Sequence, residues 1–291
     1  FPNGFSIVFS DSNPLLALLL KPLSPLLPER FQYVGMWYLL CLVLKFHASL
    51  LLLRQFIAEQ RLVLAFAALL LLHPPFFLRF GHENLMAHFL WLYGLYVFLA
   101  DMPHRRSTAL FGALAAASAA IHLYFAPVIL ALAVGKSILA LRSGHRAGRT
   151  ALELLMGVFL PLLLVMVVLG YFTGAGGGAA FGRFSMNLNA FWNSTGRSWF
   201  FDGLAMKEGQ YEGFQYLGLG WMTFLLAALP FARWRDFRVT EAILLGVSMF
   251  FLLYALSNEV YWGKTQIFAY PLPGPVADAA AIFRSSGRFG W

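Results

Sequence analysis

The sequence has little of what soluble enzymes and disulfide-bonded secreted proteins use. Only 12% of its 291 residues are charged, and Cys41 is its one cysteine. A soluble domain usually has about a quarter of its residues charged. A single cysteine forms no internal disulfide, and no cysteine and histidine spacing typical of a zinc site occurs. The sequence therefore excludes a disulfide framework, and its low content of charged residues indicates a protein surrounded largely by lipid.

Apolar residues make up 60% of the chain and are gathered in long runs. A bilayer core about 30 Å thick needs about 20 apolar residues in helical form. Eight runs approach this length and predict an all-α, polytopic membrane helix bundle. The predicted spans are residues 32–53, 62–78, 85–100, 109–121, 126–141, 151–171, 217–231 and 239–256.

The apolar stretch from residue 109 to residue 141 is long enough to form either one helix or two. As one helix it would be about 50 Å long, which exceeds the hydrocarbon thickness. We predict a break between His122 and Phe125, with Pro127 in the first turn of the next helix, where its missing N–H is tolerated.

The positive charge supports this division. The formal net charge is +8, and much of it falls in four short turns that two separate helices would place on one side. The positive-inside rule makes that side cytoplasmic. Since the charge is explained by orientation, it gives no support to a nucleic-acid partner. The residues are Arg54 and Arg61; His104, Arg105 and Arg106; Arg142, Arg146 and Arg149; and Arg233, Arg235 and Arg238.

The remaining polar residues are expected on the outer side, in the tight turn around residues 79–84 and in three longer segments. These are the first outer loop, residues 1–31, the long outer loop, residues 172–216, and the outer tail, residues 257–291. We expect one transmembrane domain over 1–291 and no soluble domain. The chain begins at Phe1 without a methionine and ends at Trp291, so we also expect it to be truncated at both ends.

Two outer acids are candidate catalytic bases. Asp11 is an acid of the first outer loop, although Ser10 or Asp11 as the cap of a helix that contains Pro14 is an alternative. Glu83 follows His82 at the start of the third span. An alternative role is structural, because the helix dipole stabilises a carboxylate in the first turn. His82, Glu83 and His88 lie within two turns at the predicted outer surface, where we expect them to contact a polar substrate.

The long outer loop supplies candidate substrate ligands. Its aromatic, amide and arginine residues suit stacking on sugars, and the same mixture suits an aromatic belt at the membrane interface. Its arginines have the forked donors that bind phosphate, of a substrate or of a lipid. Its glycine run lacks the Lys-Ser/Thr ending of a phosphate-binding loop. The candidates are Arg183, Asn187, Asn189, Arg197, Tyr211 and Glu212.

Two further groups of charged residues stand out. Arg284 and Arg288 in FRSSGRF would share one face if the segment were helical, as a pyrophosphate clamp or a headgroup anchor. Lys45 and His47 lie deep in the first predicted span. Burial of a charge there costs about 2.5 kcal/mol or more, so they indicate an internal contact.

Five motifs taken together resemble an uncharacterised bacterial family of multispanning proteins in the GT-C glycosyltransferase superfamily. They are FPNGFSIVFSDSNPLLALLLKPLSPLLP, GHENLMAHF, SMNLNAF, GQYEGFQYLGLG and FRSSGRF, and they extend over essentially the whole chain. The resemblance implies a polyprenyl-phosphate sugar as donor, transferred at the extracytoplasmic face of the bacterial inner membrane. It implies a polysaccharide, glycolipid or protein as acceptor, an acid of the first outer loop as base, and basic residues at the donor phosphate.

The chemistry expected of such an enzyme needs no nucleotide or redox cofactor. A polyprenyl phosphate is a good leaving group, so the protein must orient the acceptor, remove its proton and stabilise phosphate charge. A divalent metal is compatible with this chemistry, but no residue cluster indicates one. The main alternative is a transporter or flippase of a lipid-linked saccharide, which predicts charges along a path through several spans. A scaffold subunit of the cell envelope is a third hypothesis.

Overall fold

The computed structural model describes residues 13–173, 181–231 and 237–290. The described residues are mostly helical, at 65%, and they hold one small two-stranded sheet. Contacts divide the chain into two compact units. Unit 1 comprises Phe1–Leu72 and Arg79–Gly174, and unit 2 comprises His73–Leu78 and Ala175–Trp291.

Unit 1 is built from helices. They are α1 (Pro14–Leu20), α2 (Val34–Leu53), α3 (Gln60–Leu71), α5 (Phe89–Leu99), α6 (His104–Ile121), α7 (Ala126–Arg142), α8 (Ala147–Leu154) and α9 (Leu160–Val168), with short 3₁₀ turns at Lys21–Leu26, Glu83–Met86 and Leu123–Phe125. The helix α4 (Pro74–Phe77), which follows α3 in the chain, belongs to unit 2.

Unit 2 combines helices with irregular segments. Its elements are α4, a 3₁₀ turn at Gln210–Gly213, α10 (Leu219–Ala228) with a 3₁₀ turn at Leu229–Phe231, α11 (Val239–Leu256), α12 (Gly274–Ala281) and a 3₁₀ turn at Ser286–Gly290. Strands β1 (Glu259–Trp262) and β2 (Thr265–Ala269) pair antiparallel, and Glu259 is opposite Ala269. The first turn of α11 is capped by Glu241, which accepts a hydrogen bond from the Arg238 N–H.

Within the part of the chain that the structure describes, four helical segments are long and apolar enough to cross a membrane. They are Val34–Leu53, Leu123–Arg142, Ala147–Val168 and Val239–Leu256. In each of the last two segments, only 11% of the apolar stretch is buried inside the protein, so most of its surface is suited to contact with lipid. A helix is present at each of the eight predicted positions. The four helices that are not named above are shorter or less apolar than a full span requires.

The predicted break between two helices at residues 122–125 is confirmed. Helix α6 ends at Ile121, His122 is extended with φ −160°, and the side chain of His122 accepts a hydrogen bond from the Tyr124 N–H. Helix α7 then begins at Ala126, with Pro127 in its first turn. The proline and the histidine cap together explain why one apolar stretch forms two helices.

Helix α6 packs closely on the continuous helix formed by α8, a π-helical turn at Leu155–Phe159, and α9. Pro161 has no N–H to donate to the Gly157 carbonyl, which explains why the regular ladder is interrupted there. Gly112 of α6 faces that carbonyl, and a Cβ atom at Gly112 would collide with the oxygen and lie 3.0 Å from the Gly157 carbon. The two backbones therefore approach each other as small residues permit in membrane helices.

Lys45 and His47 make the internal contacts that the sequence predicts. The Lys45 ammonium donates to the Leu71 carbonyl at 3.3 Å, at the end of α3. Pro74 and Pro75 follow and have no N–H for the last carbonyls of that helix, so Lys45 satisfies one of them. A 2.8 Å hydrogen bond joins His47 Nδ1 to the Tyr93 hydroxyl and connects α2 with α5.

Candidate functional sites

Glu83 in unit 1 is held by residues of α2. The Trp37 indole donates to the Glu83 backbone carbonyl at 2.7 Å, and the Tyr38 hydroxyl donates to the Glu83 carboxylate at 3.4 Å. The same hydroxyl accepts the Gly81 N–H at 3.1 Å. Gly81 has φ +94°, a conformation that favours glycine. The carboxylate is half-buried and oriented, as a general base must be.

The segment around Glu83 is rich in polar side chains. Arg79, Asn84 and His88 are buried, and His82 is half-buried. The His88 ring lies 5.9 Å from Trp91 and 6.2 Å from Phe125, measured between ring centroids. Buried polar side chains are expensive in an apolar helical unit, and those inside membrane proteins are often functional. This segment, residues 79–88, is the candidate catalytic segment of unit 1.

Asp11 falls outside the described residues, so its predicted role as a base stays a prediction. The prediction that Ser10 or Asp11 caps the first helix is wrong. Helix α1 begins at Pro14, and its cap is Asn13, whose side-chain oxygen accepts the Leu16 N–H at 3.1 Å. Asparagine suits this position because its short side chain reaches the N–H groups of the first turn.

A buried ion pair joins two of the predicted site residues in unit 2. Arg288 donates from Nε to Glu212 Oε2 at 3.0 Å and from Nη2 to Glu212 Oε1 at 2.8 Å. The two residues are 9% and 6% exposed. This forked geometry is the strong form of the interaction. It uses the donors with which Arg288 was expected to bind a phosphate.

Three of the motifs meet around this pair. Gly287 donates its N–H to the Phe184 carbonyl at 3.0 Å and accepts from the Gln215 side chain at 2.9 Å. A Cβ atom at Gly287 would lie 2.7 Å from the Gly213 Cα. Segments from or beside the motifs SMNLNAF, GQYEGFQYLGLG and FRSSGRF thus meet in one structure that is buried except at a few side chains such as Tyr211. We call it the motif junction, and it consists of residues 184–186, 210–215 and 285–290.

The two predicted asparagine ligands act within the protein. Asn187 donates to the Gln210 side chain and the Gly263 carbonyl and accepts the N–H groups of Asn189 and Gly263. Asn189 donates to the Ala205 carbonyl. Both are 2% exposed. Since two donors and two acceptor positions of Asn187 are in use, it is better explained as a support for the loop than as a ligand of sugar.

The remaining candidates of the long outer loop are exposed. The Arg183 guanidinium lies 5.4 Å from the centroid of the Phe184 ring, and that of Arg197 lies 5.7 Å from the Phe214 ring. Tyr211 is 58% exposed and its ring is 6.1 Å from Phe184. These contacts orient the cations while leaving their surfaces available to an anionic ligand.

The predicted arginine clamp in FRSSGRF does not form. Residues 282–285 are not helical, and the 3₁₀ turn Ser286–Gly290 contains Arg288 without Arg284. Arg284 is exposed while Arg288 is buried against Glu212. The four-residue spacing predicted one shared face only for a continuous helix.

Unit 2 also contains a polar group that the sequence did not predict. Lys207 donates to the Glu259 carboxylate at 2.7 Å and lies 4.3 Å above the Tyr261 ring. Partial burial by itself lowers the pKa of Lys207, but the hydrogen bonds with Glu259 and Tyr261 outweigh it and place the pKa above its ordinary value. No local spacing indicates this group, because 52 residues separate the lysine from the glutamate.

Within residues 13–173, 181–231 and 237–290, no group of three His, Cys, Asp or Glu side chains is placed to hold a metal ion. Searches among curated proteins and among solved structures found no match to the chain. One family model does match, and it covers residues 1–291 in full. The chain therefore belongs to the family described as Domain of unknown function (DUF6311).

Proposed function

We propose that the protein is an integral membrane glycosyltransferase similar to the GT-C superfamily. It transfers a sugar from a polyprenyl-phosphate donor to a cell-envelope acceptor at the outer face of the bacterial inner membrane. The observation that carries the proposal is the motif junction. Stretches that bear the resemblance come from separate parts of the chain and are held together by the buried Arg288–Glu212 pair. A structure of this kind positions the exposed side chains beside it.

The reaction requires a base and a cationic phosphate site. The acceptor hydroxyl loses its proton to a carboxylate, its oxygen bonds to the sugar, and the bond from the sugar to the donor phosphate breaks. Asp11 and, within unit 1, Glu83 stay the candidate bases that the sequence predicts. Within unit 2, Arg183 and Arg284 replace Arg288 as the main proposed phosphate ligands. Both are exposed, and both are close in sequence to the Gly287–Phe184 hydrogen bond.

The charged residues of the spans favour a transferase over a transporter. A transport path is expected to be lined by charges that contact its cargo. Lys45 is bonded to the Leu71 carbonyl, and Lys136 of α7 donates to the Phe98 and Ala100 carbonyls at 2.9 and 2.8 Å. Both lysines thus satisfy backbone carbonyls at helix ends, a structural role.

The proposed topology has eight spans, with the arginine-rich turns inside and the motif junction outside. Single cysteines at the exposed positions Ser143 and Thr265, in a Cys41→Ala background, test it. An impermeant maleimide added to intact cells should label Thr265→Cys, and it should label Ser143→Cys only after the membrane is opened. Labelling of both positions from the same side would contradict this topology.

Substitution of the exposed arginines tests the proposed phosphate site. A hydrogen bond to a charged group contributes about 1.5–3 kcal/mol, so Arg183→Ala and Arg284→Ala should each lower donor turnover by about ten- to a hundredfold. Because both side chains are exposed, the free energy of unfolding should change by less than about 0.5 kcal/mol. Lysine at either position should recover part of the loss, since it keeps the charge without the fork.

The assay is transfer of radiolabelled sugar from the lipid-linked donor in liposomes, with thermal unfolding measured in parallel. Arg142→Ala is the matched control, because Arg142 is an exposed arginine of a turn assigned to the inner face. It should leave turnover unchanged. Full activity of both Arg183→Ala and Arg284→Ala would remove these arginines from the proposed phosphate site.

A further inference from the structure

Unit 2 carries an exposed loop of aromatic residues, here called the aromatic loop, residues 192–204. The side chain of Asn193 accepts the Leu204 N–H at 2.8 Å and donates to the Leu204 carbonyl at 3.0 Å. Ser194 donates to the Phe201 carbonyl at 2.7 Å. These bonds close the base of the loop, so the tip is presented by a fixed backbone.

The tip exposes large apolar side chains. Trp199 is 100% exposed and Phe200 is 73% exposed. Phe201 and Leu204, whose backbones close the base of the loop, are also exposed, and so is Arg197, two residues before Trp199 in the sequence. Grouped exposed apolar residues usually mark an interaction surface. Phenylalanine and leucine have no hydrogen-bonding side-chain group, so this composition suits a lipid surface better than a glycan, which needs polar contacts around its hydroxyls.

The chain connection places the base of the loop near the membrane. Candidate span α11 has 18 residues, about 27 Å of helix, which is close to the thickness of the hydrocarbon core. Its last residue, Leu256, should therefore lie at the lipid boundary. Strand β1 begins at Glu259, and Trp262 at its end lies within about 20 Å of that boundary even if fully extended.

The aromatic loop is attached to this strand. The Trp192 and Trp262 rings lie 5.6 Å apart, measured between centroids. Asn187, five residues before Trp192, makes two hydrogen bonds with Gly263 at the turn that follows β1. The hairpin and the loop base are thus fastened together at the same short distance from the end of α11.

We propose that the aromatic loop inserts into the headgroup layer of the bilayer. Trp199 and Phe200 reach the boundary of the acyl chains, where tryptophan is favoured. The Arg197 guanidinium binds lipid phosphate with its forked donors. The loop thereby anchors unit 2 at the membrane surface, and this role does not depend on sugar transfer.

The test places an environment-sensitive fluorophore on Trp199→Cys in a Cys41→Ala background. Glu208→Cys is the matched control, because Glu208 is an exposed residue of the same unit. The full-length protein is reconstituted in nanodiscs of phosphatidylcholine and phosphatidylglycerol. The label at 199 should be quenched by lipids with a nitroxide near the headgroup and shielded from iodide, whereas the label at 208 should be quenched by iodide.

Equal quenching of the two labels by iodide would overturn the proposal. Shielding at position 199 that appears only after a water-soluble oligosaccharide is added would also overturn it, and would assign the loop to a glycan. Thermal unfolding of both variants should match that of the Cys41→Ala protein, since both changes are at exposed side chains.

Discussion

Replacement of Gly112 by alanine is expected to lower the stability of unit 1 by about 3 kcal/mol, at the upper end of the range for overpacked cores. The new Cβ atom would collide with the carbonyl oxygen of Gly157, which is backbone and has no rotamer to change. Relief requires α6 to move away from the continuous helix of α8 and α9. The measurement is the free energy of unfolding in detergent.

Gly246→Ala is the matched control for this prediction. Gly246 lies inside candidate span α11, and no atom lies within 4 Å of a Cβ built there. Alanine is favoured over glycine within a helix by up to about 1 kcal/mol, so this variant should be as stable as the wild type or more stable. A Gly112→Ala protein as stable as the wild type would show that α6 and the π-helical turn do not pack as described.

Removal of one member of the Arg288–Glu212 pair is expected to destabilise unit 2 by about 3–5 kcal/mol, because a buried charge loses its partner. Arg288→Ala and Glu212→Gln should both show this loss in thermal unfolding. The effect follows from two short hydrogen bonds between side chains that are 9% and 6% exposed. The sequence alone predicts a pyrophosphate clamp or headgroup anchor for Arg288 and a substrate ligand for Glu212, and neither prediction requires a buried pair.

The double variant Arg288→Met with Glu212→Leu distinguishes two effects: the cost of leaving a buried charge unpaired and the cost of losing side-chain contacts. Apolar residues of similar volume often replace a buried ion pair at little cost, so the double variant should be more stable than Arg288→Met alone or Glu212→Leu alone. Additive losses in a double-mutant cycle would show that the two side chains do not interact. Unchanged stability of Arg288→Ala would contradict the buried pair itself.

The all-helical class and the break between α6 and α7 could be predicted from the sequence because the signals are local, whereas helix lengths such as that of α3, which ends at Leu71, could not. A run of apolar residues with Pro127 in the following first turn predicts both the helices and the break before α7. Lys45 and His47 could be recognised as internal contacts because a polar group inside a span must find a partner. Their partners, Leu71 and Tyr93, could be identified only from the structure.

The candidate site was harder to predict because its polar residues act over long sequence separations. Glu212 and Arg288 are 76 residues apart, as are Asn187 and Gly263. Composition correctly marked these residues as unusual but did not distinguish an internal partner from an external ligand. The same composition left the aromatic loop open between sugars and lipid, and only its exposure and its attachment near α11 favour lipid.

The most direct measurement of the central claim is sugar transfer by the full-length protein in oriented proteoliposomes. A radiolabelled polyprenyl-phosphate sugar is supplied in the leaflet that corresponds to the outer face, with an envelope acceptor on the same side. The account predicts labelled acceptor and released polyprenyl phosphate, and no product when the donor is confined to the inner leaflet. Movement of the intact donor between leaflets without any labelled acceptor would contradict the account and identify a transporter.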